Sequence, residues 1–213
     1  MHLVMSALVL LGCGKNNTDD EEVPTDVGFT LTTYGVDQAA AGYEDEFVDG
    51  YEIYLDHWVT AFGDMTLGDT AMGDTPFVVD WTQVEEPLEL GSWRTGAGDH
   101  VFGLRTLPAS DQAQQLTEID PDVLSVAINE RYTHYIVGRG EGSGTDYTFA
   151  WGLRNPAVYT DCIDASTGEA FVAVSDEDVA EYDDFELTLD FHLDHLWFDR
   201  LETEAADMRF EVF

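Results

Sequence analysis

Positive charge is scarce in this sequence. Its 213 residues include 44 aspartates and glutamates but only 8 lysines and arginines, for a formal net charge of -36 and a pI of about 4.1. Nucleic acid and anionic membrane surfaces repel such a polyanion, which excludes both as binding partners. The dense acids also repel one another in dilute salt. We therefore expect a protein adapted to high ionic strength, and the alternative is that calcium neutralises part of its surface.

The sequence also has no apolar run long enough for a membrane span, although its first residues are apolar. Residues 1–12 carry no acid and are too few to cross a bilayer. They lead into Leu10-Leu11-Gly12-Cys13, with an aliphatic residue three positions before the cysteine and a small residue directly before it. This pattern resembles a bacterial lipoprotein signal. The resemblance implies a signal peptide over residues 1–12 and lipidation of Cys13.

A polar and acidic segment completes the predicted anchor. Residues 13–26 show no apolar periodicity, so we expect a solvated tether between the lipid and the folded domain. Gly14 after the cysteine is compatible with lipoproteins sorted to the outer membrane, so the resemblance implies a cell-envelope location. Lipidation of Cys13 would exclude an intramolecular disulfide, because the mature chain then holds only Cys162. Cys162 is then either a buried apolar residue or an additional metal ligand.

From residue 27 onwards, apolar residues recur at every second position, which is the spacing of half-buried β-strands. Turns rich in Gly, Asp and Asn separate these segments. The pattern predicts a mainly β fold for residues 27–213, as a single antiparallel β-sandwich domain or a barrel-like variant of it. The strand-like series are residues 27–31, 77–81, 147–153, 170–174 and 187–193, together with Tyr51, Ile53, Leu55, His57, Val59 and Ala61 on one predicted face.

Two parts of the sequence lack this alternation and predict short helices and a loop instead of strands. Residues 110–116 and Pro121–Glu130 carry helix formers behind candidate caps, with Pro121 at a favoured first helical position, so we expect one or two short helices there. The glycine-rich run over residues 138–144 predicts a hairpin loop. It is a poor phosphate site, because no helix follows it to supply a cluster of amides.

The most motif-like segment is HLDHLWFD at residues 192–199. His195 extends the apolar series of the last predicted strand, and His57 lies on the predicted apolar face of residues 51–61, so the two could meet at one end of a sandwich. An imidazole pair with a carboxylate is a common ligand set for zinc, copper or iron. The alternative is a core His195 that satisfies its own hydrogen bonds. The candidate metal ligands are His57, His192, Asp194, His195 and Asp199.

Several short motifs follow one another in a recognisable order. They are the lipoprotein cysteine, Phe62-Gly63-Asp64 at the end of a long strand, Thr148-Phe149-Ala150-Trp151-Gly152, then Tyr159 and Cys162, and finally His195-Leu196 close to Asp199. This order resembles acidic bacterial lipoproteins and, more distantly, the periplasmic copper-binding partner proteins associated with methanobactin clusters. The resemblance implies a periplasmic β-sandwich that binds a transition metal. The chain departs from the latter proteins in its cysteine content.

These observations favour a lipid-anchored extracytoplasmic module that binds copper or zinc through histidine and carboxylate ligands. The alternative is an interaction lipoprotein that presents a surface to a protein or a glycan, with Trp58, Trp93 and Trp197 as candidate contacts. An enzyme is the weaker hypothesis, because the sequence contains no G-x-S-x-G or H-E-x-x-H motif and no glycine-rich turn for a dinucleotide.

Overall fold

The computed structural model describes residues 27–35, 47, 49–142, 144, 146–160, 162, 167–169, 172–175 and 185–191. The elements within these residues are β1 Val27–Gly35, β2 Tyr51–Leu67, β3 Thr70–Ala71, β4 Phe77–Asp80, a 3-10 helix Trp81–Gln83, β5 Leu88–Thr95, β6 Gly98–His100, β7 Phe102–Thr106, β8 Gln114–Gln115, α1 Pro121–Glu130, β9 His134–Gly142, β10 Tyr147–Leu153, β11 Val158–Tyr159, β12 Val172–Val174 and β13 Phe185–Phe191. None of the helical segments found there combines the length and the apolar character that a membrane-crossing helix needs.

The strands form two main sheets that pack face to face. In the smaller sheet, β1 lies between β5, to which it is antiparallel, and β13, to which it is parallel. The larger sheet has the order β10-β9-β2-β4-β8, and the long β2 also pairs with β3 and β7. The short strands β11 and β12 pair with β7 and β6. The predicted mainly β, sandwich-like fold is confirmed, and the described strands do not close into a barrel.

The main core fills the space between the two sheets. Phe191 of β13 packs against the rings of Phe62 and Trp81, with centroid distances of 5.4 and 4.5 Å. Each large apolar side chain buried in such a core stabilises the fold by about 1.5–3 kcal/mol. The largest fully buried side chains of the described residues are Trp81, Phe62, Leu31, Ile53, Met65, Leu67, Met72 and Ile136.

A smaller core covers the other face of the larger sheet, where α1 packs. The helix begins behind Asp120, whose carboxylate accepts hydrogen bonds from the amides of Asp122 and Val123, and it ends at Arg131 in the left-handed conformation. The helix predicted over Pro121–Glu130 is therefore confirmed, with the proline at its start. The buried residues of this smaller core are Val59, Ala61, Val78, Ala109, Ile119 and Ala127.

Residues 110–116, the other candidate helix, are not helical. The amide of Gln114 donates to the carbonyl of Pro76 at 2.8 Å, and the amide of Leu116 donates to the carbonyl of Val78 at 2.9 Å. These bonds place β8 in parallel beside β4. Pairing with β4 satisfies backbone groups that a helix would satisfy internally, so a tertiary contact overrides the local helix propensity.

A β-bulge at Asp56 divides β2 into two parts with opposite orientation. Leu55 pairs with Gly138 of β9 and His57 pairs with Val137, so Asp56 is an extra residue with no opposite partner in this ladder. One extra residue exchanges the faces of every side chain that follows, because side chains alternate along a strand. The prediction that His57 shares a face with Ile53 is therefore wrong.

The consequence is visible in the packing on either side of the bulge. Ile53 faces the main core before it, and Trp58 and Phe62 face the same core after it. Val59 and Ala61 belong to the smaller core, beneath α1. His57 shares the orientation of Val59 and Ala61, so its side chain lies on the outer face of the larger sheet.

The glycine-rich run over residues 138–144 also differs from its prediction, because most of it is strand. β9 continues to Gly142, and Gly140 pairs with Tyr147 of β10. A methyl group on Gly138 would overlap the carbonyl oxygen of Tyr54 and meet the ring of Phe149 at 2.9 Å. The glycine therefore permits a close approach of strand and ring, and the connection from β9 to β10 covers only residues 143–146.

Candidate functional site

Of the predicted metal ligands, only His57 and the additional candidate Cys162 fall within the described residues. His192, Asp194, His195 and Asp199 lie outside them, and so does the predicted lipidation site at Cys13. Cys162 is half-buried and packs against the main core. His57 is therefore the predicted ligand around which a site can be built.

His57 is paired with a buried carboxylate that the sequence analysis did not identify. The Nδ1 atom of His57 lies 2.7 Å from Oδ2 of Asp80. The side chain of Asp80 is 0% exposed, whereas that of His57 is 25% exposed. One ring edge of the imidazole is thus fixed by the protein while part of the ring remains accessible to solvent.

The second oxygen of Asp80 fixes the local backbone. Oδ1 accepts hydrogen bonds from the amide of Trp58 at 3.0 Å, from the amide of Thr82 at 3.2 Å and from the hydroxyl of Thr82 at 2.8 Å. The amide of Asp80 itself donates to the hydroxyl of Thr117 at 2.9 Å. Hydrogen bonds to a buried carboxylate compensate its loss of hydration, so this residue is held in one position.

The bulge explains why these groups meet. Asp80 pairs with Val59 at the end of β4, and it caps the 3-10 helix that follows. The bulge at Asp56 turns His57 towards the same face and exposes the amide of Trp58 to the carboxylate. A bulge is a common means of re-aiming a side chain beside a functional site.

The pairing determines which nitrogen of His57 is available. A carboxylate only accepts hydrogen bonds, so Nδ1 of His57 carries a proton and donates it to Asp80. In the neutral imidazole, Nε2 then keeps its lone pair. Within the part of the chain that the structure describes, Nε2 of His57 has no hydrogen-bond partner. It can accept a proton, accept a hydrogen bond or bind a metal ion.

The outer face beside His57 carries mostly acidic groups around a single arginine. The guanidinium of Arg139 lies 4.5 Å from the ring centroid of Tyr54 and is bonded to Glu141 at 2.8 Å and to Asp56 at 3.4 Å. The hydroxyl of Tyr54 donates to Glu52 at 2.8 Å. Three carboxylates against one guanidinium leave this surface negative, which favours the approach of a cation.

A second histidine lies on the opposite face and has a structural role. The indole of Trp81 donates to the hydroxyl of Thr60 at 2.8 Å, and that hydroxyl lies 3.0 Å from Nδ1 of His134. Burial lowers the pKa of His134 to about 4. His134 is therefore neutral at pH 7 and completes a hydrogen-bond chain inside the sandwich.

The described residues do not form a complete metal site. No group of three or more histidine, cysteine, aspartate or glutamate side chains among them could hold a metal ion. The pair of His57 and Asp80 thus offers one nitrogen ligand and one supporting carboxylate, and a metal would need ligands from elsewhere in the chain.

One sequence signal could have identified Asp80. It ends the run Phe77-Val78-Val79-Asp80, in which all four residues are buried. An acid placed between an apolar run and a tryptophan is unusual for a solvated turn. It indicates a buried carboxylate, which needs several hydrogen bonds.

Comparisons with known proteins assign no function to this site. No family model matches the chain, and no curated protein or solved structure matches it either.

Proposed function

We propose that this protein is a lipid-anchored binding module of the bacterial cell envelope, and that it binds a transition-metal ion with His57 as one ligand. The observation that carries the proposal is the 2.7 Å contact between Nδ1 of His57 and the fully buried Asp80. Metal-binding histidines usually donate their other ring N–H to a carboxylate or carbonyl, which fixes the tautomer and increases the basicity of the ligand.

The chemistry of the ligands favours zinc or copper. Imidazole nitrogen suits zinc and copper, whereas calcium and magnesium prefer sites built wholly from oxygen. The additional candidate ligands are His192, Asp194, His195 and Asp199, with Cys162 as a further possibility. A module of this kind would bind or deliver the metal, and no reaction follows from the described geometry.

Elemental analysis of the full chain tests the metal proposal. The protein should be purified without chelator or affinity histidines and dialysed in high salt, which removes loosely held surface calcium. We expect about one zinc or copper ion per chain. Removing a ligand in His57→Ala or His195→Ala should abolish stoichiometric binding, and Asp80→Asn should weaken it by about 10–100-fold.

His100→Ala is the matched control, because the Nε2 atom of His100 donates to the carbonyl of Gly96 at 2.7 Å, in the connection that precedes its own strand, β6. This variant should keep the metal. A wild-type chain without stoichiometric metal, or a His57→Ala variant that retains it, would overturn the proposal.

The lipid anchor is tested separately. When the full chain is expressed in a bacterium, it should partition into the detergent phase of a phase-separating detergent, because several acyl chains give stable membrane attachment. Cys13→Ser should move it to the aqueous phase. An unchanged distribution would contradict the lipoprotein assignment and leave the metal proposal intact.

A further inference from the structure

A surface groove of about 220 Å³ lies at the boundary between the two sheets, on the side of β5. The smaller sheet contributes Leu90, Ser92 and Trp93, the larger sheet contributes Phe77 and Gln114, and the connection from β3 to β4 contributes Thr75. None of the described residues that line the groove has a charged side chain, although the chain contains 44 acids. The groove is thus an uncharged surface on a strongly anionic protein.

The indole of Trp93 lines this groove beside two glycines, Gly73 and Gly91. Gly91 has a φ of +138°, and a Cβ atom there would lie 3.3 to 3.8 Å from three atoms of the six-membered ring of Trp93. A Cβ atom on Gly73 would lie 3.6 Å from Nε1 of the same indole. The missing side chain of Gly91 allows the ring to lie close to the backbone there, whereas the distance at Gly73 is that of an ordinary van der Waals contact. Trp93 is partly buried and packs against the main core, so the groove offers an aromatic side chain that the core supports.

Polar groups that can bind neutral ligands line the same groove as the indole. Gln114 and Thr75 are exposed, and Ser92 is exposed with its hydroxyl 3.3 Å from that of Thr30. An amide and hydroxyls can each donate and accept hydrogen bonds, as the hydroxyl groups of a sugar require. An aromatic face packs against the C–H groups of a pyranose ring. This combination matches the two-sided chemistry of a carbohydrate.

The charge of the protein selects among carbohydrates. A formal net charge of -36 repels uronic acids, sulfated sugars and phosphorylated glycolipids. A neutral sugar is not repelled, and its binding in an uncharged groove does not require a buried ion to lose its hydration.

We infer that this groove binds a neutral oligosaccharide, with one sugar ring on the indole of Trp93 and hydrogen bonds to Gln114 and Thr75. This site uses none of the residues of the proposed metal site, so the two proposals stand or fall separately.

The test is isothermal titration of the full chain with four neutral hexasaccharides, built from glucose in α-1,4 linkage, glucose in β-1,4 linkage, mannose, and N-acetylglucosamine. A hexamer of galacturonic acid is the anionic comparison. The titrations should contain a chelator, which removes any contribution of a bound metal. We expect at least one neutral hexasaccharide to bind and the anionic one to bind more weakly.

Variants then locate the site. Trp93→Ala should weaken binding by about tenfold or more, because it removes the aromatic surface, and Gln114→Leu should weaken it by about threefold to tenfold. Tyr159→Ala is the control: Tyr159 is an aromatic residue that also lies in a strand, 46% exposed and so more accessible than the partly buried Trp93, and it is not among the described residues that line the groove. It should leave binding unchanged.

Gln114 is exposed and lies in a two-residue strand, so Gln114→Leu decides the question if Trp93→Ala fails to fold. The inference is overturned if no neutral hexasaccharide binds, if the galacturonic acid hexamer binds most tightly, or if Tyr159→Ala weakens binding as much as the groove variants do.

Discussion

Replacing Asp80 tests whether the fold around His57 depends on one buried carboxylate. This side chain is 0% exposed and accepts hydrogen bonds from the amide of Trp58, the amide and hydroxyl of Thr82, and Nδ1 of His57. Asp80→Ala removes all four acceptor contacts. Asp80→Asn is nearly isosteric, and it removes chiefly the contact with His57 because an amide oxygen can still accept at the Oδ1 position.

The expected magnitudes follow from these contacts. In Asp80→Ala, the buried amide of Trp58 loses its partner, which costs about 1–3 kcal/mol, and the 3-10 helix loses its cap, which costs about 1 kcal/mol. With the loss of the pair to His57, we expect Asp80→Ala to lower the free energy of unfolding by about 3–5 kcal/mol. Asp80→Asn should lower it by about 1–2 kcal/mol.

Urea denaturation at fixed NaCl concentration, followed by tryptophan fluorescence, measures these differences without changing the ionic strength. A double-mutant cycle with His57→Ala isolates the pair, and we expect a coupling energy of about 1–2 kcal/mol. The reasoning is refuted if Asp80→Ala lowers the unfolding free energy by less than about 1 kcal/mol, or if the cycle shows no coupling between positions 57 and 80.

Three further predictions concern the pH, packing and salt dependence of stability. Lowering the pH should destabilise the protein through His134 by up to about 3 kcal/mol, because the unfolded histidine binds a proton near its ordinary pKa of 6.5 and the folded one only near a pKa of about 4. The contribution of His134 to the free energy of unfolding is fully present above pH 6.5 and is lost as the pH falls to about 4. Urea titrations across that range should therefore show a smaller fall in the free energy of unfolding for His134→Gln than for the wild type. Gly152→Ala should lower the unfolding free energy by about 1–3 kcal/mol, because the added methyl group would overlap the ring of Tyr132. Gly28→Ala, where no atom lies within 4 Å of the added group, is its control and should change it by less than about 0.5 kcal/mol. Raising NaCl from about 0.1 to about 2 M should raise the Tm measured by calorimetry, because ions screen the repulsion among the acids, and an equal Tm at both concentrations would contradict the proposed adaptation to salt.

The alternation of apolar residues predicted the fold class correctly, because each sheet buries one face against the main core. The strands at Tyr51–Leu67, Phe77–Asp80, Tyr147–Leu153 and Phe185–Phe191 overlap the predicted series. Short strands such as β3, β8 and β11 were not predicted. Each has only two residues, so its structure depends on the partner strand and leaves no period in the sequence.

The candidate site was predicted only in part, because the bulge at Asp56 leaves an ambiguous pattern. Beyond the bulge, β2 is covered by the main core on one face and by α1 on the other, so Trp58 and Val59 are both buried. A strand that is apolar on both faces has no alternation of apolar and polar residues. Its sequence therefore does not show where a bulge exchanges the two faces. The same ambiguity explains why Trp58, a predicted surface contact, is only 3% exposed.

The glycines beside Trp93 could not be interpreted from the sequence either. Gly73 and Gly91 are far apart along the chain and come together only when the two sheets pack. Glycine is also common in turns, so its occurrence alone does not indicate a close approach to an aromatic ring.

The pairing of β1 with β13 has a consequence for the time at which the protein folds. Thr32 and Thr188 are hydrogen-bonded although 156 residues separate them, and the two strands run in parallel over seven residue pairs. A contact of such long range raises the contact order, and it forms only after the intervening chain has been synthesised. The smaller sheet therefore cannot be completed until β13 has emerged from the ribosome, and β1 lacks this neighbouring strand until then.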